Sequence, residues 1–463
     1  MRLRIFLGVM SACAAAPLLA QKVAAGPMLG SNTMREVKVW LQTDEPCDVK
    51  LRFWPQGTKQ PAQSTAMVRT STKDAHVAQF TCSLLEPGTA YDYEVVLNGK
   101  AQKLEVPTTF TTLPLYQFRT DPPKFTVALG SCVYINEPEF DRPGKGYGQD
   151  PSIFNVIADQ APDAMLWMGD NTYYREVDWD TRSGMLYRQS HTRQTPELQR
   201  LLATSHNYAI WDDHDYGPND SNRSWTNKDI SKDVFELFWA NASYGNSALP
   251  GITSYFTYND VAFFMLDNRW DRTHPELEGQ QQQCLGQYQI DWLIHALKTS
   301  NASFKLVVVG GQVLSDYAAY ENLARYPEER QQIIDLIAAN NIKGVVFLSG
   351  DRHSTELTRM DLGGGVIVHD LTCSPLTSTA YDHSEEPNTL RVSGTHVGTQ
   401  NFGLLTFEGP WKARTMTISI RDASGREQWT ATLSRKGELV KPVTRTATTP
   451  EAVGPGKLQG VKK

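Results

Sequence analysis

Residues 164–176 read AMLWMGDNTYYRE, an apolar run that stops at a glycine and is followed by polar side chains. A continuous apolar run of this length is typical of a parallel strand that is buried on both faces. Asp170 and Tyr173 come directly after the predicted strand. Because ligands bind beyond the carboxyl ends of the strands in open α/β sheets, we expect both side chains to lie at a binding site.

Further apolar runs of the same kind lie between residues 125 and 374, and helical segments separate them. The predicted strands are FTVALGSC (125–132), YAIWDDHD (208–215), FKLVVVGG (304–311), GVVFLSGD (344–351) and VIVHDLTCS (366–374). The predicted helices include SIFNVIADQ (152–160), YQIDWLIHAL (288–297) and RQQIIDLIAAN (330–340). Strands that alternate with helices indicate an α/β domain, which we assign to residues 119–440. Alternating apolar residues between 402 and 433 predict antiparallel strands that close the domain.

Residues 22–118 show a different pattern, in which single apolar residues alternate with polar ones. Val37, Val39 and Leu41 illustrate this period of two, which is typical of strands with one buried face. Tyr91 follows a Pro-Gly corner and precedes a strand pattern, as tyrosines do at the corners of β-sandwiches. The sequence therefore predicts an all-β sandwich ahead of the α/β domain.

The two ends of the chain are predicted to lie outside both domains. Residues 1–21 begin with basic Arg2 and Arg4 and continue as a short apolar stretch, which is the pattern of a secretory signal peptide. A membrane anchor is the alternative, but the stretch is short and Pro17 interrupts it. We therefore expect a periplasmic or secreted protein. Residues 441–463 are rich in Thr, Pro, Gly and Lys, and we predict a disordered tail there.

The composition excludes several classes of protein. Hydrophobic residues make up 40% of the 463 residues, which is too many for a disordered chain. The formal net charge of -6 argues against specific nucleic-acid binding, which requires a basic surface. No run beyond the N-terminus approaches the ~20 apolar residues that cross a bilayer, so we expect no transmembrane span in the mature chain.

The cysteine content bears on disulfides. Cys13 lies in the predicted signal peptide, which leaves Cys47, Cys82, Cys132, Cys284 and Cys373. An oxidising compartment favours disulfides, and an odd number of cysteines leaves one thiol unpaired. One arrangement pairs Cys47 with Cys82 and Cys284 with Cys373. The sequence alone does not exclude other pairings.

Metal-capable side chains follow four of the predicted strands. They are Cys132 after the first, Asp170 and Tyr173 after the second, Asp212, Asp213 and His214 after the third, and Asp351 and His353 after a later one. Each has a simpler alternative role, such as a small buried thiol, an aspartate helix cap or a core histidine. Their joint occurrence at strand ends that should meet at one sheet edge favours a common site.

The chemistry of this set is that of a catalytic metal centre. Carboxylates and a phenolate suit hard cations, whereas thiolate and imidazole suit iron or zinc. Two ions about 3.5–4 Å apart form a clamp for displacement at phosphorus, in which one activates water and the other binds phosphoryl oxygens. A neighbouring histidine such as His214 can protonate the leaving group.

The motifs GSC, GDNTYYRE, WDDHDYGPND and SGDRHS occur in this order, and together they resemble a known family. The chain is similar to calcineurin-like metallophosphoesterases, and among them to PhoD-like alkaline phosphatases and phosphodiesterases, which are related to purple acid phosphatases. The resemblance implies a four-layer α/β/β/α metallophosphoesterase domain preceded by a fibronectin type III-like sandwich. It also implies Fe3+ with one or two Ca2+, with Zn2+ or Mn2+ as alternatives, and a small-molecule phosphate mono- or diester as substrate.

The resemblance also assigns roles to residues. Asp170 would bridge the metals, Tyr173 and His353 would bind iron, and Cys132 would be a metal ligand in the place of the family's first-motif aspartate. Asp213 is a metal ligand, and His214 takes the place of the catalytic histidine. Asp351 and Asp212 are expected at calcium. The wider family has a metal-binding histidine before the last motif, where this chain has Gln312, so its amide oxygen is a further candidate ligand.

Substrate contacts are less clearly marked. Arg175 and Arg352 flank the ligand motifs, where they either grip phosphate or balance the carboxylates. Arg269 is a further candidate, and Asn171 either orients phosphate or turns its loop. The aromatic residues Tyr147, Trp225 and Trp270 either line an entrance or belong to the core. Residues 143–148, PGKGYG, lack the spacing of a phosphate-binding loop but suit a lid.

Two alternatives to the phosphomonoesterase or phosphodiesterase remain. The same site serves a phosphotriesterase or phospholipase-type activity if the pocket differs. A cell-envelope polymer or lipid is a further candidate partner of the protein beside the small phosphate ester. A non-catalytic protein that binds a surface polymer is the alternative from another class.

Overall fold

The computed structural model of the protein describes residues 21–58 and 63–446. Residues 1–20 of the predicted signal peptide and residues 447–463 of the predicted tail lie outside the described residues. Within the described part of the chain, no helix has the length and apolar character needed to cross a membrane.

The described residues form strands in three sheets together with α-helices. The strands are β1 (Val23–Asn32), β2 (Val37–Thr43), β3 (Asp48–Pro55), β4 (Gln63–Ser64), β5 (Val68–Arg69), β6 (Val77–Cys82), β7 (Ala90–Leu97), β8 (Lys100–Ala101), β9 (Thr109–Thr111), β10 (Phe125–Gly130), β11 (Ala164–Met168), β12 (His206–Ile210), β13 (Ser254–Tyr258), β14 (Val261–Met265), β15 (Phe304–Val308), β16 (Val345–Ser349), β17 (Glu356–Asp361), β18 (Ile367–Thr372), β19 (Asn401–Glu408), β20 (Thr415–Asp422), β21 (Glu427–Ser434) and β22 (Leu439–Arg445). The α-helices are α1 (Ile153–Asp159), α2 (Arg182–Arg193), α3 (Gln199–Thr204), α4 (Asp213–Tyr216), α5 (Lys228–Phe238), α6 (Gln287–Thr299) and α7 (Pro327–Ala339).

Two of the sheets carry the predicted α/β domain. The first has the order β22-β21-β20-β19-β10-β11-β12-β1-β2-β6, and its centre, β10 to β12, is parallel. The second has the order β13-β14-β15-β16-β18-β17, with β14, β15, β16 and β18 parallel. Every strand predicted from a continuous apolar run is present, and β19 to β21 confirm the predicted antiparallel closure.

The layers follow from the alternation of side chains along the strands. In β14, Phe263 and Met265 share a core with Val127 of the first sheet, whereas Phe264 faces the other way. Phe264 belongs to a second core with the apolar faces of α6 and α7, including Leu293. Helices α1, α2, α3 and α5 share the core of the first sheet. The two sheets thus lie between helices, as predicted for the four-layer domain.

The N-terminal region is all-β, as predicted, but it is continuous with the catalytic sheet. Strand β1 pairs with β12 in parallel, so β1, β2 and β6 extend the first sheet while the smaller third sheet covers them. Buried hydrogen bonds reinforce the junction, from Asn207 Nδ2 to Leu29 O (3.0 Å) and from the backbone N–H of Asn32 to Tyr208 Oη (2.9 Å). The region therefore braces the strand that precedes Asp212.

The predicted tyrosine corner is confirmed. The hydroxyl of Tyr91 accepts a hydrogen bond of 2.8 Å from the backbone N–H of Glu86, five residues upstream. The ring is buried and stacks on Phe110, with 5.5 Å between the ring centroids. The corner thereby ties the turn at Pro87 to the core of the sandwich.

The end of the α/β domain lies beyond the predicted boundary at residue 440. Residues 441–445 belong to β22, which pairs with β21 in antiparallel register. Disorder was predicted there because the tail is rich in Thr, Pro, Gly and Lys. At the edge of a sheet, however, a proline costs no ladder hydrogen bond and charges face water.

The predicted disulfides are wrong. The described cysteines are all free thiols, and each is buried. Cys47 and Cys82 lie in the core of the sandwich among apolar side chains. Cys373 belongs to the core between the two sheets and Cys284 to the core beneath α6 and α7. These thiols behave as small hydrophobic side chains, the common role of an unpaired cysteine.

Candidate metal centre and active site

The predicted ligands converge because the carboxyl ends of the parallel strands in the two sheets face the same region. Contacts between the sheets join the ends, such as Ser374 Oγ after β18 and Cys132 Sγ after β10, which lie 3.1 Å apart. The strand ends also approach each other closely where glycine leaves room. A Cβ at Gly310 would lie 2.5 Å from Oδ2 of Asp212, and one at Gly350 would lie 2.6 Å from Oγ of Ser131.

One group of buried side chains contains Cys132, Asp170 and His353. Their ligand atoms all lie within 4.8 Å of one another. The hydroxyl of Tyr173 joins them, at 3.0 Å from Asp170 Oδ2 and 3.1 Å from His353 Nε2. The structure thus brings together four of the predicted metal ligands.

These residues adopt unusual backbone conformations. The φ angles of Cys132, Asp170, Asp351 and His353 are 62°, 53°, 65° and 52°, in the left-handed region that residues other than glycine rarely adopt. Each such residue costs on the order of 1–3 kcal/mol and persists only where its surroundings fix it. Four of the predicted ligands are among the fourteen described residues other than glycine that have a positive φ.

A hydrogen bond to Nδ1 and a stacked aromatic ring fix the orientation of His353. Its Nδ1 lies 2.7 Å from the carbonyl oxygen of Thr379, and because a carbonyl only accepts, Nδ1 carries the hydrogen. Tyr381 stacks on the imidazole with 5.5 Å between centroids and 10° between planes. Burial lowers the pKa of His353 to about 4, so the ring is neutral near pH 7. Its Nε2 lone pair is therefore directed at Tyr173 and is available to a metal ion.

A second group contains Asp212, Asp213 and Glu321, all buried. Arg269 is fully buried among them and forms ion pairs with Asp212 and Glu321, the latter at 2.6 Å between Nη2 and Oε2. Asn268 Nδ2 also donates to Asp212 Oδ1 at 2.8 Å. Arg269 thus partly neutralises the carboxylates, which explains how they remain buried. Because these ion pairs engage the guanidinium of Arg269, they do not support the contact with phosphate for which the sequence analysis considered this residue.

Asp351 lies beside this second group. Burial and the charges of Glu321 and Asp212 raise the pKa of its carboxyl well above the usual value. Its Oδ2 atom is buried without a hydrogen-bond partner among the described residues, and so is Oδ2 of Asp212. Unpartnered buried carboxylate oxygens are costly, and a bound cation is the partner that would satisfy both.

A third group contains Asp170, Asp213 and His214, and it connects the other two. His214 Nε2 lies 3.8 Å from Asp213 Oδ2, and its ring stacks on Tyr173 with 4.1 Å between centroids. Burial raises the pKa of Asp213, but the charges of His214 and Arg269 outweigh this effect and lower it to about 2. The ionised form of Asp213 is therefore favoured.

The three groups fit metal ions by geometry and by charge. Ligand atoms at about 2.0–2.6 Å from one ion lie at most about 5 Å apart, and each group meets that limit. Burial and the charges of Asp213 and Asp212 raise the pKa of Asp170 well above its usual value, which means that its surroundings destabilise the ionised carboxylate. The positive charge of a bound cation would stabilise that carboxylate. Asp170 belongs to two groups, which is the arrangement that a bridging carboxylate requires.

A cavity of about 560 Å3 opens beside the first and third groups. Its wall includes Tyr173 and His214 together with aromatic side chains of Tyr134, Tyr147 and Trp179. Pro143 and Lys145 from the predicted lid, residues 143–148, also line it. Trp225 and Trp270, which the sequence analysis placed at an entrance, do not line this cavity. Trp270 instead stacks parallel to Trp211, at 6.5 Å between centroids.

The two arginines that flank the motifs are engaged in protein contacts. Arg175 is buried and donates to Asp141 Oδ1 through Nε at 3.0 Å and Nη2 at 2.9 Å, while its guanidinium lies over the Tyr134 ring. Arg352 donates to both carboxylate oxygens of Glu386 at 2.6 Å. These bonds support charge balance, the alternative that the sequence analysis left open, although Arg175 also lines the cavity.

Gln312 and Asn171 are held by neighbours rather than by the three groups. Gln312 Nε2 donates to Glu356 Oε1 and to Thr372 Oγ1, both at 2.9 Å. Asn171 Nδ2 donates to the carbonyl oxygen of Ile210 at 2.7 Å and thereby links the ends of β11 and β12. In the described contacts, both side chains connect neighbouring segments of the protein.

Sequence reasoning missed Glu321, which completes the second group. Glu321 lies in the long connection between β15 and α7, 13 residues after the end of β15, and it belongs to none of the recognised motifs. The connection also contains Asp316, which bonds to Thr389 on the surface. Only the fold distinguishes the two acids. The position of the connection at the carboxyl end of β15 is the one signal that could have pointed to it.

Comparisons with known proteins agree with this fold. The profile of the PhoD-like phosphatase family matches residues 144–409, and that of a domain of unknown function, DUF7800, matches residues 20–114. Alkaline phosphatase D of Bacillus subtilis (strain 168) is 23% identical over 336 residues, which cover 61% of this chain and 54% of that protein. The chain thus spans about half of the length of that curated relative.

Solved structures show the same fold. A structure of PhoD has a TM-score of 0.74 at 15% identity, with 94% of each chain covered. Purple acid phosphatase PPD1 from yellow lupin (Lupinus luteus) seeds has a TM-score of 0.63 at 12% identity, covering 88% of this chain and 74% of that one. These likenesses confirm the predicted fold class. Because the family profile matches more than half of its residues, the chain belongs to the PhoD-like phosphatase family.

Proposed function

We propose that the protein is a metal-dependent phosphoric-ester hydrolase that acts on phosphate mono- or diesters. The observation that carries this proposal is the set of three overlapping groups of buried ligand atoms, joined through Asp170 and Asp213, beside a cavity. Membership of the PhoD-like phosphatase family and the relationship to alkaline phosphatase D support it. The N-terminal sequence supports a periplasmic or secreted location.

The donor types suggest how two kinds of ion divide the site. Cys132, Tyr173 and His353 offer the thiolate, phenolate and imidazole that suit Fe3+, whereas Asp212, Asp351 and Glu321 offer the oxygens that suit one or two Ca2+. Asp170 and Asp213 lie between the two sets. Bound ions would lower the pKa of a water molecule to near neutrality and neutralise phosphoryl oxygens.

The residues of the chain supply the remaining parts of the reaction. His214 faces the cavity, and its side chain remains 21% exposed, so it can reach an incoming ester. Stacking on Tyr173 and the nearby Asp213 carboxylate fix its ring. Burial lowers the pKa of His214, while the charge of Asp213 partly opposes this effect. We assign to His214 the protonation of the leaving oxygen, and to the aromatic wall the exclusion of water.

The role of His214 predicts a dependence on the leaving group. His214→Ala should slow hydrolysis of alkyl phosphates by about 10²–10⁴-fold, the usual contribution of general acid catalysis. Aryl phosphates with acidic phenols need little protonation and should lose much less. Steady-state rates with a series of esters of graded leaving-group pKa measure this difference.

His191→Ala is the matched control for that series. The His191 side chain is 23% exposed, close to the value for His214, but it lies near Glu137 rather than in one of the three groups. It should leave the dependence on the leaving group unchanged. Equal losses for alkyl and aryl esters in His214→Ala would rule out a general-acid role.

The role of Tyr173 predicts a spectroscopic change. A phenolate bound to Fe3+ absorbs visible light, so the iron-loaded protein should be coloured and Tyr173→Phe should lose the band. Tyr134→Phe is the control, because that ring lies 5.2 Å from Tyr173 while its hydroxyl bonds to Asp141 at 2.8 Å. A band that persists unchanged in Tyr173→Phe would refute the assignment of Tyr173 to iron.

A further inference from the structure

The segment that follows β18, residues 373–378, lies against Cys132, which follows β10 in the other sheet. The backbone N–H groups of Thr377 and Ser378 donate to the carbonyl oxygen of Cys132, at 3.1 Å and 3.0 Å. The side chain of Ser374 comes from the same segment, and its Oγ lies 3.1 Å from Cys132 Sγ. The sulfur that the proposed function places at iron therefore has a hydroxyl group as its neighbour.

The hydrogen of the Ser374 hydroxyl is directed at that sulfur. The backbone N–H of His353 donates to Ser374 Oγ at 3.0 Å, so the oxygen accepts in that bond. A serine hydroxyl has one hydrogen to donate, and Cys132 Sγ is the acceptor that it reaches. A thiolate bound to a metal accepts hydrogen bonds and has no hydrogen to give. The hydroxyl of Ser374 thus connects two members of the first group, His353 and Cys132.

The backbone of Ser374 is fixed on both sides. Its N–H donates to Thr355 Oγ1 at 3.2 Å, and its carbonyl oxygen accepts a bond of 2.7 Å from Asn401 Nδ2. Thr355 Oγ1 in turn donates to Asn401 Oδ1 at 2.6 Å. All three residues are fully buried. The hydroxyl of Ser374 therefore has a defined position relative to the sulfur.

Ser131 offers a comparison within the same site. Its Oγ is fully buried and lies 3.5 Å from Cys132 Sγ. It also lies 3.1 Å from the carbonyl oxygen of Cys373, and because a carbonyl only accepts, the single hydrogen of Ser131 is used there. Among the described hydrogen bonds, the hydroxyl of Ser374 is therefore the donor to the Cys132 thiolate.

We propose that Ser374 is a positioning residue that tunes the iron ion through Cys132. The inference rests on the proposed function, since it requires iron at this thiolate. Hydrogen bonds to a sulfur ligand withdraw electron density from it and are one of the means by which proteins set the reduction potential of iron. Because the thiolate then donates less charge, Fe3+ is a stronger Lewis acid towards water and phosphate. The same effect raises the midpoint potential of the couple in which one electron converts Fe3+ to Fe2+.

Redox titration of the iron-loaded full chain tests this proposal. Dithionite supplies the electron, ferricyanide removes it, and the visible band reports the fraction of Fe3+. Ser374→Ala should bind as much iron as wild type but have a more negative midpoint potential, because the thiolate donates more charge without the hydrogen bond. Ser131→Ala is the matched control and should keep the potential of wild type, since its hydroxyl does not donate to the sulfur.

A second measurement requires no substitution. Resonance Raman spectroscopy records the stretching vibration of the Fe–S bond in protein loaded with iron in H2O or in D2O. The frequency of wild type should differ between the two solvents, because deuterium replaces the hydroxyl hydrogen that is bonded to the sulfur. The difference should disappear in Ser374→Ala and persist in Ser131→Ala.

The outcomes separate this inference from the proposed function. If wild type holds iron, an unchanged potential in Ser374→Ala or the absence of a solvent effect on the Fe–S vibration would overturn the role of Ser374 alone. Equal changes of potential in Ser374→Ala and Ser131→Ala would also overturn it. Loss of iron from Ser374→Ala would overturn it as well, because the residue would then hold the ligands in place rather than tune the ion. A wild type that takes up no iron would contradict the proposed metal centre and this inference together.

Discussion

Asp170→Asn should reduce the hydrolysis of phosphate esters by at least about 10³-fold, because a shared metal carboxylate supplies several kcal/mol of transition-state stabilisation. Asp170 Oδ2 lies 3.0 Å from the Tyr173 hydroxyl and 3.7 Å from Cys132 Sγ, and its carboxylate also belongs to the group of Asp213 and His214. The amide of asparagine keeps one oxygen but loses the negative charge. Rates with an aryl phosphate in excess metal measure the loss.

The folded state should tolerate Asp170→Asn. Asparagine adopts the left-handed backbone more readily than most residues, which suits the φ of 53° at this position. Removal of a carboxylate whose pKa burial and neighbouring aspartates raise relieves repulsion in the metal-free protein. Thermal unfolding without metal should therefore show an unchanged or higher midpoint, so a loss of activity would not reflect misfolding.

Asp163→Asn is the control at the other end of the same strand. Asp163 precedes β11 and accepts a hydrogen bond of 2.8 Å from the backbone N–H of Thr126. It lies at the amino edge, away from the metal groups, so the activity should be close to that of wild type. Most of the wild-type rate remaining in Asp170→Asn would contradict the bridging role.

Arg269→Met should lower the free energy of unfolding by about 3–5 kcal/mol, the cost of breaking a buried ion pair and leaving the partner charges unpaired. Arg269 is completely buried and pairs with both Asp212 and Glu321. Denaturant titration of the metal-free protein measures the change. Arg269→Lys should recover only part of it, because one ammonium group cannot form the bonds that the planar guanidinium makes to both carboxylates.

Arg182→Met provides the comparison for an exposed ion pair. Arg182 pairs with Asp74 and Asp233, but its side chain is 27% exposed. Water screens such pairs, so the loss should stay below about 1 kcal/mol. Similar losses for Arg182→Met and Arg269→Met would show that the buried carboxylates do not depend on Arg269.

The sequence predicted those parts of the fold in which a residue pattern indicates one type of secondary structure. The run AMLWM forms the fully buried strand β11, because a strand covered on both faces accommodates continuous apolar residues and a run of five is short for a helix. The ligand motifs then followed from strand ends, since parallel strands present their carboxyl ends together. The structure brings Cys132, Asp170, Tyr173 and His353 into contact as those motifs implied.

Other features depend on contacts that are distant in the sequence. Helix α2 was not predicted because its buried face includes Arg188, Gln189 and Arg193, whose polar groups give no apolar stripe. Arg188 is buried because Asp178 and Glu137 neutralise it, and only the fold brings those acids to it. Glu321 was missed for the same reason, since its partner Arg269 is 52 residues away.

The metal content of the purified protein tests the central claim most directly. The full chain, prepared without chelators, would be analysed by mass spectrometry for metals, with its visible spectrum and aryl-phosphate hydrolysis recorded on the same sample. We predict near-stoichiometric iron with calcium, a visible band, and activity that chelation removes and metal restores. A colourless, metal-free and inactive protein that does not take up iron or calcium would contradict the proposed metal centre.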